Sequence, residues 1–222
     1  MASRARPAAG GGRWVDVAPE RLERWVAGFG QRHGAPTATL APDGGSVVLE
    51  APDGARAEVD LPFPPLAPDD EVVPALVAHV LAPRRVGVLL VRLGGFACGV
   101  FAGDRLVVSK VGSRPVHGRS AAGGQSQQRF ARRREGQARV ALQAAADTTA
   151  RVLVPHAASL DAVVVGGERT AVDAVLADRR LEPLRGLVGG RLLDVPDPRQ
   201  AVLEQAPALY RAVRIRVVDA QD

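Results

Sequence analysis

The chain has 222 residues, enough for one generous domain or for one domain with a small appendage. Its apolar fraction of 46% permits a buried core, and its formal charge of +5 favours a polyanionic partner. The single cysteine, Cys98, excludes an internal disulfide and lies in an apolar run, so we expect it to be buried. No apolar run approaches the roughly 20 residues of a membrane-spanning helix and no signal-peptide pattern precedes the fold, so we expect a soluble, cytoplasmic protein with no membrane partner.

The first third of the chain predicts a small α+β module over residues 13–82, after a disordered tail at 1–12. The tail consists of small and basic residues that have nothing to bury. A helix is predicted after Asp16, which can cap it, with four apolar side chains on one face: Leu22, Trp25, Val26 and Phe29. Short β-prone runs then alternate with the hairpin-turn signals PDGG and PDGA. A second helix is predicted over about Asp69–Leu81, before a boundary at Pro83.

The remainder, residues 83–222, predicts an α/β domain with a mixed sheet. It opens with the continuous apolar run RRVGVLLVRLGG, which is typical of a strand covered on both faces, and two more strands follow about an AGDR turn. At Arg114 this pattern stops, and PVHGRSAAGGQS is predicted to be a mobile loop. A long helix is predicted from about Gln127 to Val152, and its second half has a face that can pack, formed by Ala138, Ala141, Ala145 and Thr148 with Val140 and Ala144 alongside. The buried strand DAVVVGG, a helix, the strand GRLLDV, a last helix and a last strand VRIRVV follow it.

The loop and the long helix meet in GGQSQQRFARRR, Gly123 to Arg134, where flexible backbone adjoins dense positive charge. Taken separately these features are common, because glycine pairs occur in many turns and an arginine run is usually a solvated face. Together they are more informative. Cations this close on a helix repel one another by a few tenths of a kcal/mol per pair, whereas docking on phosphates would offset the repulsion and release counterions. The start of the helix therefore predicts a nucleic-acid-binding surface formed by Arg129, Arg132, Arg133 and Arg134.

Gln125 stands at the end of the glycine loop and does not titrate, so it cannot be a general acid or base. Its backbone N–H and its side-chain amide can orient a water or donate to a developing oxyanion. Such a donor contributes roughly 3–4 kcal/mol where water is excluded. Gly123 and Gly124 allow the tip to enter a narrow space. The pattern therefore predicts a catalytic tip whose remaining active site is supplied by a partner.

The sequence GGQSQQRFARRREGQ resembles the signature of class one peptide-chain release factors of the eukaryotic and archaeal type. In that family Gly-Gly-Gln-Ser is followed by Arg-Phe-Ala-Arg on the next helix. The matching residues are Gly123, Gly124, Gln125, Ser126, Arg129, Phe130, Ala131, Arg132 and Arg134. The order of strands, loop, long helix and VVVGG also resembles the central domain of that family. The resemblance covers roughly residues 84–218 and implies an RNase H-like α/β fold.

This resemblance implies hydrolysis of the ester between nascent peptide and tRNA, without a cofactor, at the peptidyl-transferase centre of the large ribosomal subunit. Gln125 would position water and stabilise the tetrahedral intermediate, largely through its backbone amide, with Gly123 and Gly124 shaping the tip. The residues expected to face ribosomal RNA are Arg129, Arg132, Arg133, Arg134, Arg119, His117 and Ser126. The expected partners are the ribosome and peptidyl-tRNA, and we expect a monomer.

The chain departs from full-length release factors in two ways. The Asn-Ile-Lys-Ser motif that reads stop codons does not occur, residues 13–82 differ in pattern from the domain that carries it, and no partner-factor domain follows the catalytic one. In this the chain resembles the Vms-like release factors, and by composition their actinobacterial branch, which implies peptide release from stalled or split ribosomes without codon recognition. Locally, Ser120–Ala122 separates the basic lead-in His117–Arg119 from the glycines.

Other chemistries find less support in the sequence. The histidines lie in separate segments without cysteine partners, which disfavours a zinc site: His33, His79, His117 and His156. A metal-dependent nuclease needs converging carboxylates, and nothing in the sequence brings Asp104, Asp161 and Asp194 together. VVVGG followed by ERTAV lacks the spacing and the lysine of a phosphate loop, so a strand-to-helix turn explains it. The alternative functions are a non-catalytic ribosome- or RNA-binding factor and, with less support, a tRNA-directed nuclease.

Overall fold

The computed structural model describes residues 6–92, 94–113 and 126–220, and within 126–134 it describes the backbone alone. The chain divides into two compact units. Unit 1 comprises Met1–Ala82 together with Ala208–Asp222, and unit 2 comprises Pro83–Pro207. The end of the chain therefore returns to the unit in which the chain begins.

Unit 1 is built on a six-stranded antiparallel sheet in the order β1-β2-β10-β5-β4-β3. Its strands are β1 (Arg6–Pro7), β2 (Arg13–Val17), β3 (Thr37–Leu40), β4 (Ser46–Glu50), β5 (Arg56–Asp60) and β10 (Val213–Val218), and its helices include α1 (Leu22–His33) and α2 (Val72–Leu81). Alternate residues of the strands are apolar and pack with the apolar faces of α1 and α2 in one core. Leu22, Val26 and Phe29 are buried there and Trp25 is partly buried, which confirms the predicted helix face.

The last strand, β10, belongs to the sheet of unit 1 and not to the predicted second domain. Ile215 of β10 pairs with Val15 of β2 on one side and with Val59 of β5 on the other. The prediction that residues 83–222 form one domain is therefore wrong for the residues from Ala208 onward. The alternation in VRIRVV indicates a half-buried strand, but it carries no information about which sheet that strand joins.

Three predictions at the start of unit 1 are also wrong in detail. Asp16 does not cap a helix: it lies in β2, and its Oδ2 accepts a hydrogen bond from Nη2 of Arg6 at 2.8 Å. From Arg6 onward the predicted disordered tail is wrong, because Arg6 and Pro7 pair with β2. The second helix begins at Val72 rather than near Asp69.

Unit 2 contains a four-stranded sheet in the order β8-β7-β6-β9. Its strands are β6 (Arg85–Arg92), β7 (Gly95–Ala102), β8 (Arg105–Ser113) and β9 (Ala162–Gly167), and its α-helices are α3 (Ser126–Leu153), α4 (Arg169–Leu176), α5 (Glu182–Arg185) and α6 (Gln200–Glu204). A last helix, α7 (Ala206–Tyr210), begins in unit 2 and ends in unit 1. β6 runs antiparallel to β7 and parallel to β9, so the predicted α/β class with a mixed sheet is confirmed. The RNase H-like arrangement stays a prediction.

The central strand β6 has the buried character that its apolar run predicts. Every residue from Val86 to Val91 is buried, since helices and neighbouring strands enclose it. The predicted strand GRLLDV is wrong, because only an isolated parallel bridge between Leu193 and Gly166 forms there. The predicted last helix is divided into α6 and α7, and Pro207, which has no N–H to continue a helical ladder, stands in the first turn of α7.

Candidate functional site

Helix α3 is the element that carries the predicted motif. It spans Ser126–Leu153, one residue more at each end than predicted, and its 28 residues make it about 42 Å long at 1.5 Å per residue. Ser126 is its first residue, and its first three turns contain four predicted RNA-binding arginines: Arg129, Arg132, Arg133 and Arg134. The other predicted site residues lie outside the described residues: Gly123, Gly124, Gln125, His117 and Arg119.

The second half of α3 packs on the sheet of unit 2 through small side chains. Ala141, Ala145 and Thr148 are buried as predicted. Val140 is 50% exposed, so its predicted place on the packed face is wrong, whereas Ala146 and Thr149 are buried and were not predicted. Alanine on this face allows the helix to approach β7 and β8 closely.

A buried polar contact accompanies this packing. The hydroxyl of Thr149 donates to the carbonyl oxygen of Ala145 at 2.7 Å, which satisfies it within the helix. Cys98 on β7 is buried, as predicted, and burial raises the pKa of its thiol to about 12, although the hydrogen bond with Thr149 opposes the shift. The thiol is therefore protonated near neutral pH and is a packing group.

An ion-pair network connects the last third of α3 to the turn after α4. Nη2 of Arg180 lies 2.6 Å from Oδ1 of Asp147 on α3 and 2.7 Å from Oδ2 of Asp178. Oδ1 of Asp147 also accepts from Nε2 of Gln143 at 3.1 Å. The hydrogen bonds from Arg180 are the main cause that lowers the pKa of both carboxyl groups. This network adds directional contacts to a helix whose buried face is otherwise nearly featureless.

Asp161, one of the three carboxylates considered for a nuclease, makes a contact with the backbone. Oδ2 of Asp161 accepts from the backbone N–H of Arg85 at 2.6 Å, which joins the segment before β9 to the start of β6. Among the residues that the structure describes, no group of three or more His, Cys, Asp or Glu side chains is arranged to hold a metal ion. Within the same residues, no helix combines the length and the apolar character needed to cross a membrane.

Gly167, the second glycine of the VVVGG segment, is required by the geometry of the turn after β9. Gly167 has a φ of +98°, and a Cβ there would lie 2.1 Å from the carbonyl oxygen of Val91. The chain can make this turn from β9 into α4 only with glycine, which supports the prediction of a strand-to-helix turn.

Similarity to solved structures is distant. The archaeal translation termination factor aRF1 is 17% identical, with a TM-score of 0.38 over 72% of this chain and 49% of that one. A structure described as an archaeal protein is also 17% identical, with a TM-score of 0.40 over 73% of this chain and 52% of that one. The Vms1 mitochondrial localization core is 9% identical, with a TM-score of 0.43 over 88% of this chain and 80% of that one. The chain thus spans about half the length of the two archaeal proteins.

The family comparison is more specific. No curated protein matches the chain. The family model described as the Actinobacteria/chloroflexi VLRF1 release factor, acVLRF1, matches residues 84–216. This range nearly coincides with residues 84–218, over which the predicted resemblance extends, and it includes α3 and the GGQ tripeptide before it. The predicted resemblance is therefore confirmed, and the chain belongs to the Actinobacteria/chloroflexi VLRF1 release factor family.

Proposed function

We propose that this protein hydrolyses the ester of peptidyl-tRNA at the peptidyl-transferase centre of stalled ribosomes or split large subunits, without reading a codon. The observation that carries the proposal is the tetrapeptide Gly123–Ser126 directly at the start of α3, in a chain that belongs to a release factor family. The same residues in an unrelated chain would be a common turn. Membership of a release factor family makes peptide release the function that best explains them.

In the proposed reaction, water attacks the carbonyl carbon of the ester that joins the peptide to the tRNA ribose. Gln125 orients that water and its backbone N–H donates to the oxyanion of the tetrahedral intermediate. The intermediate collapses when the C–O bond to the ribose breaks, and the ribose oxygen takes up the proton that the water loses. The products are a free peptide acid and a deacylated tRNA. Because Gln125 does not titrate, groups of the ribosome and the tRNA must carry the proton.

The proposed binding surface for ribosomal RNA lies at the beginning of α3. Arginine presents a planar fork that binds phosphate through two parallel hydrogen bonds, and each neutralised phosphate releases counterions. Arg119, His117 and Ser126 would add contacts near the tip. The first turns of α3 would bind the RNA. The packed second half of α3 and the Arg180 network would keep the helix in place on the sheet.

Peptide release from stalled large-subunit complexes tests this function. We expect Gly124→Ala, which alters the backbone beside Gln125, to bind these complexes like the wild type but to release peptide roughly 10²–10³-fold more slowly, as when one oxyanion donor is lost. Gln125→Ala keeps its backbone N–H and loses only the side chain that orients the water, so it should bind like the wild type and release peptide more slowly than the wild type. Gln128→Ala is the matched control, because it removes the same side chain three residues away on α3, and it should release peptide at the wild-type rate.

Three results would contradict the proposal. If both tip variants release peptide as fast as the wild type, the tip is not the catalytic group. If the wild type binds without releasing peptide, the protein is a non-catalytic binding factor. If the tRNA recovered from the reaction has shortened ends on a sequencing gel, the protein is a tRNA-directed nuclease. Binding to isolated large subunits, compared with binding to whole ribosomes, identifies the complex on which it acts.

A further inference from the structure

Among the described residues, unit 2 contains a pocket of about 220 Å³. Three elements line it: the hairpin between β6 and β7, the middle of α3, and the beginning of α4. The apolar lining comprises Val91, Phe96, Ala138, Ala141, Leu142 and Ala171. The pocket lies where the parallel strands β6 and β9 end, and in open α/β sheets ligands bind outside the carboxyl ends of the strands.

The size and the lining of the pocket limit what it can bind. Small-molecule sites usually measure roughly 300–1,000 Å³, so this smaller pocket suits one ring system rather than a whole cofactor. Phe96, a residue that is 6% exposed, forms part of the wall, and three alanines form another part of it. A flat, mostly apolar group would fill such a space and leave little unsatisfied polarity.

The polar groups of the pocket come from the start of α4 and from the end of β6. The exposed Glu168 contributes a carboxylate whose Oε1 accepts from the hydroxyl of Thr170 at 3.1 Å. Arg92 also lines the pocket, and its Nη1 donates to the carbonyl oxygen of Val195 at 2.7 Å. A carboxylate with lone pairs to spare favours a ligand that presents N–H donors at its edge.

The position of the pocket on α3 indicates the source of the ligand. Ala138 stands one helical turn after Arg134, so the lining begins where the arginine-rich segment ends. Two further arginines, Arg139 and Arg169, are exposed next to lining residues. A polyanion held along the first turns of α3 would therefore pass the mouth of the pocket, with its phosphates near these cations.

We propose that the pocket binds a single unstacked nucleobase of the RNA that lies along α3. The base would pack against Phe96 and the alanines, and an amino group on its edge would donate to Glu168. Proteins recognise single-stranded RNA in this way, by splaying out a base, packing it on an aromatic side chain and hydrogen-bonding its edge. Adenine and cytosine carry such an amino group. Uracil offers only its ring N3–H, which lies between two carbonyl oxygens that the carboxylate repels, so adenine and cytosine are preferred to uracil. The inference rests on the proposed function only in that α3 contacts RNA.

The test uses the full chain with labelled alanine methyl groups, titrated with single-stranded homopolymers of A, C and U roughly 12 nucleotides long. We expect the methyl signals of Ala138, Ala141 and Ala171 to shift on addition of oligo(A) or oligo(C). Ala171→Leu fills the pocket and should weaken binding about tenfold, as loss of one packed base does. Ala174→Leu, one turn further along α4 at an exposed position, is the matched control and should bind like the wild type.

A separate variant tests the proposed hydrogen bond between the base and Glu168. Glu168→Gln keeps an acceptor for Thr170 but loses the charge, so the preference for oligo(A) and oligo(C) over oligo(U) should fall several-fold while the pocket methyl signals still shift. If Ala171→Leu unfolds, which its methyl spectrum reveals, Ala138→Leu replaces it. Competition by deacylated tRNA and by isolated large subunits then identifies which RNA supplies the base.

Several outcomes overturn the inference. These are RNA binding without shifts of the pocket methyl signals, equal weakening by Ala171→Leu and Ala174→Leu, no binding of any homopolymer, or shifts of the pocket methyl signals by an apolar peptide but not by RNA. The proposed function is judged separately by peptide release. Gln125→Ala should keep the pocket shifts, and a wild type that shows these shifts but releases no peptide would disprove the hydrolase function alone.

Discussion

At the residue scale, the turn after β9 shows how backbone geometry alone can require a glycine. Gly167 combines a positive φ with a Cβ position that the carbonyl oxygen of Val91 already occupies. Its N–H donates to the carbonyl oxygen of Leu193 at 2.9 Å, so the turn also holds the segment that the sequence wrongly predicts as a strand. The glycine is needed for the fold, whatever the neighbouring pocket binds.

We expect Gly167→Ala to lower the free energy of unfolding of unit 2 by about 2–5 kcal/mol, since left-handed backbone costs roughly 1–2 kcal/mol for alanine and overpacking adds 1–3 kcal/mol. Urea unfolding followed by circular dichroism measures the change. Gly186→Ala is the control, because Gly186 has a φ of −66° and no atom within 4 Å of its Cβ position. Equal effects of the two substitutions would contradict the argument.

At the element scale, α3 combines two kinds of attachment. Its buried face is mostly alanine, which permits a close approach but offers few shape features to define one position along the sheet. The contacts of Asp147 with Arg180 and Gln143 are directional and therefore define that position better. The side chains of Arg180 and Asp147 are about half exposed, so solvent screens the attraction between their charges.

The Arg180 network predicts a specific pH dependence of stability. A carboxyl group whose pKa is lower in the folded than in the unfolded protein stabilises the fold above its unfolded pKa, near 4, and this contribution is lost as the pH falls through the folded value. Asp147 and Asp178 are such groups, and Arg180 is the main cause. We therefore expect Arg180→Ala to lower the melting temperature at pH 7, and the difference from the wild type to shrink between about pH 5 and pH 2.

Thermal unfolding at a series of pH values measures this difference. Arg179→Ala is the control, since it removes an exposed arginine from the same turn and should leave the melting temperature nearly unchanged at every pH. A difference between Arg180→Ala and the wild type that stays constant from pH 7 to pH 2 would rule out the assigned ion pairs.

The arginines at the start of α3 predict the salt dependence of ribosome binding. If Arg132 and Arg133 each neutralise one phosphate, replacing both by Gln should reduce the slope of log affinity against log salt by about 1.4–1.8. Binding to isolated large subunits at several KCl concentrations measures the slope. Arg151→Gln, in the last turn of the same helix, should leave it unchanged. An unaltered slope in the double variant would mean that these arginines do not face phosphate.

At the scale of the whole molecule, the end of the chain completes the sheet in which the chain begins. β10 lies between β2 and β5 and contributes Val213, Ile215 and Val217 to the core of unit 1. The family match over residues 84–216 therefore includes part of a strand that is structurally in unit 1. The boundary of the matched family segment and the boundary of the folded unit are different.

We expect Ile215→Ala to destabilise unit 1 by about 2–5 kcal/mol, because it removes most of a fully buried side chain. The chain has two tryptophans, Trp14 on β2 and Trp25 on α1, so tryptophan fluorescence during urea unfolding reports on unit 1. Leu81→Ala is the control, since Leu81 is 45% exposed at the end of α2. An unchanged fluorescence midpoint for Ile215→Ala would show that β10 does not hold this sheet together.

The amino-acid sequence by itself determined the features that depend on local patterns. The apolar run of β6, the turn signals between β3 and β5 and the spacing along α1 predict their elements, because side-chain periodicity reflects local geometry. The GGQ tripeptide and the Arg-Phe-Ala-Arg sequence after it predicted the family, since such a combination of residues rarely arises by chance.

Only the tertiary structure decided which segments meet. The sequence placed β10 in the wrong domain, placed Val140 on the packed face of α3, and offered no sign that Arg180 meets Asp147 or that Phe96, Ala138 and Ala171 enclose a pocket. The physical reason is that these contacts join residues far apart in the chain. The alternation of side chains in a strand indicates that one of its faces is buried, but it does not indicate which helix or sheet covers that face. The choice of partner depends on the packing of all the elements together.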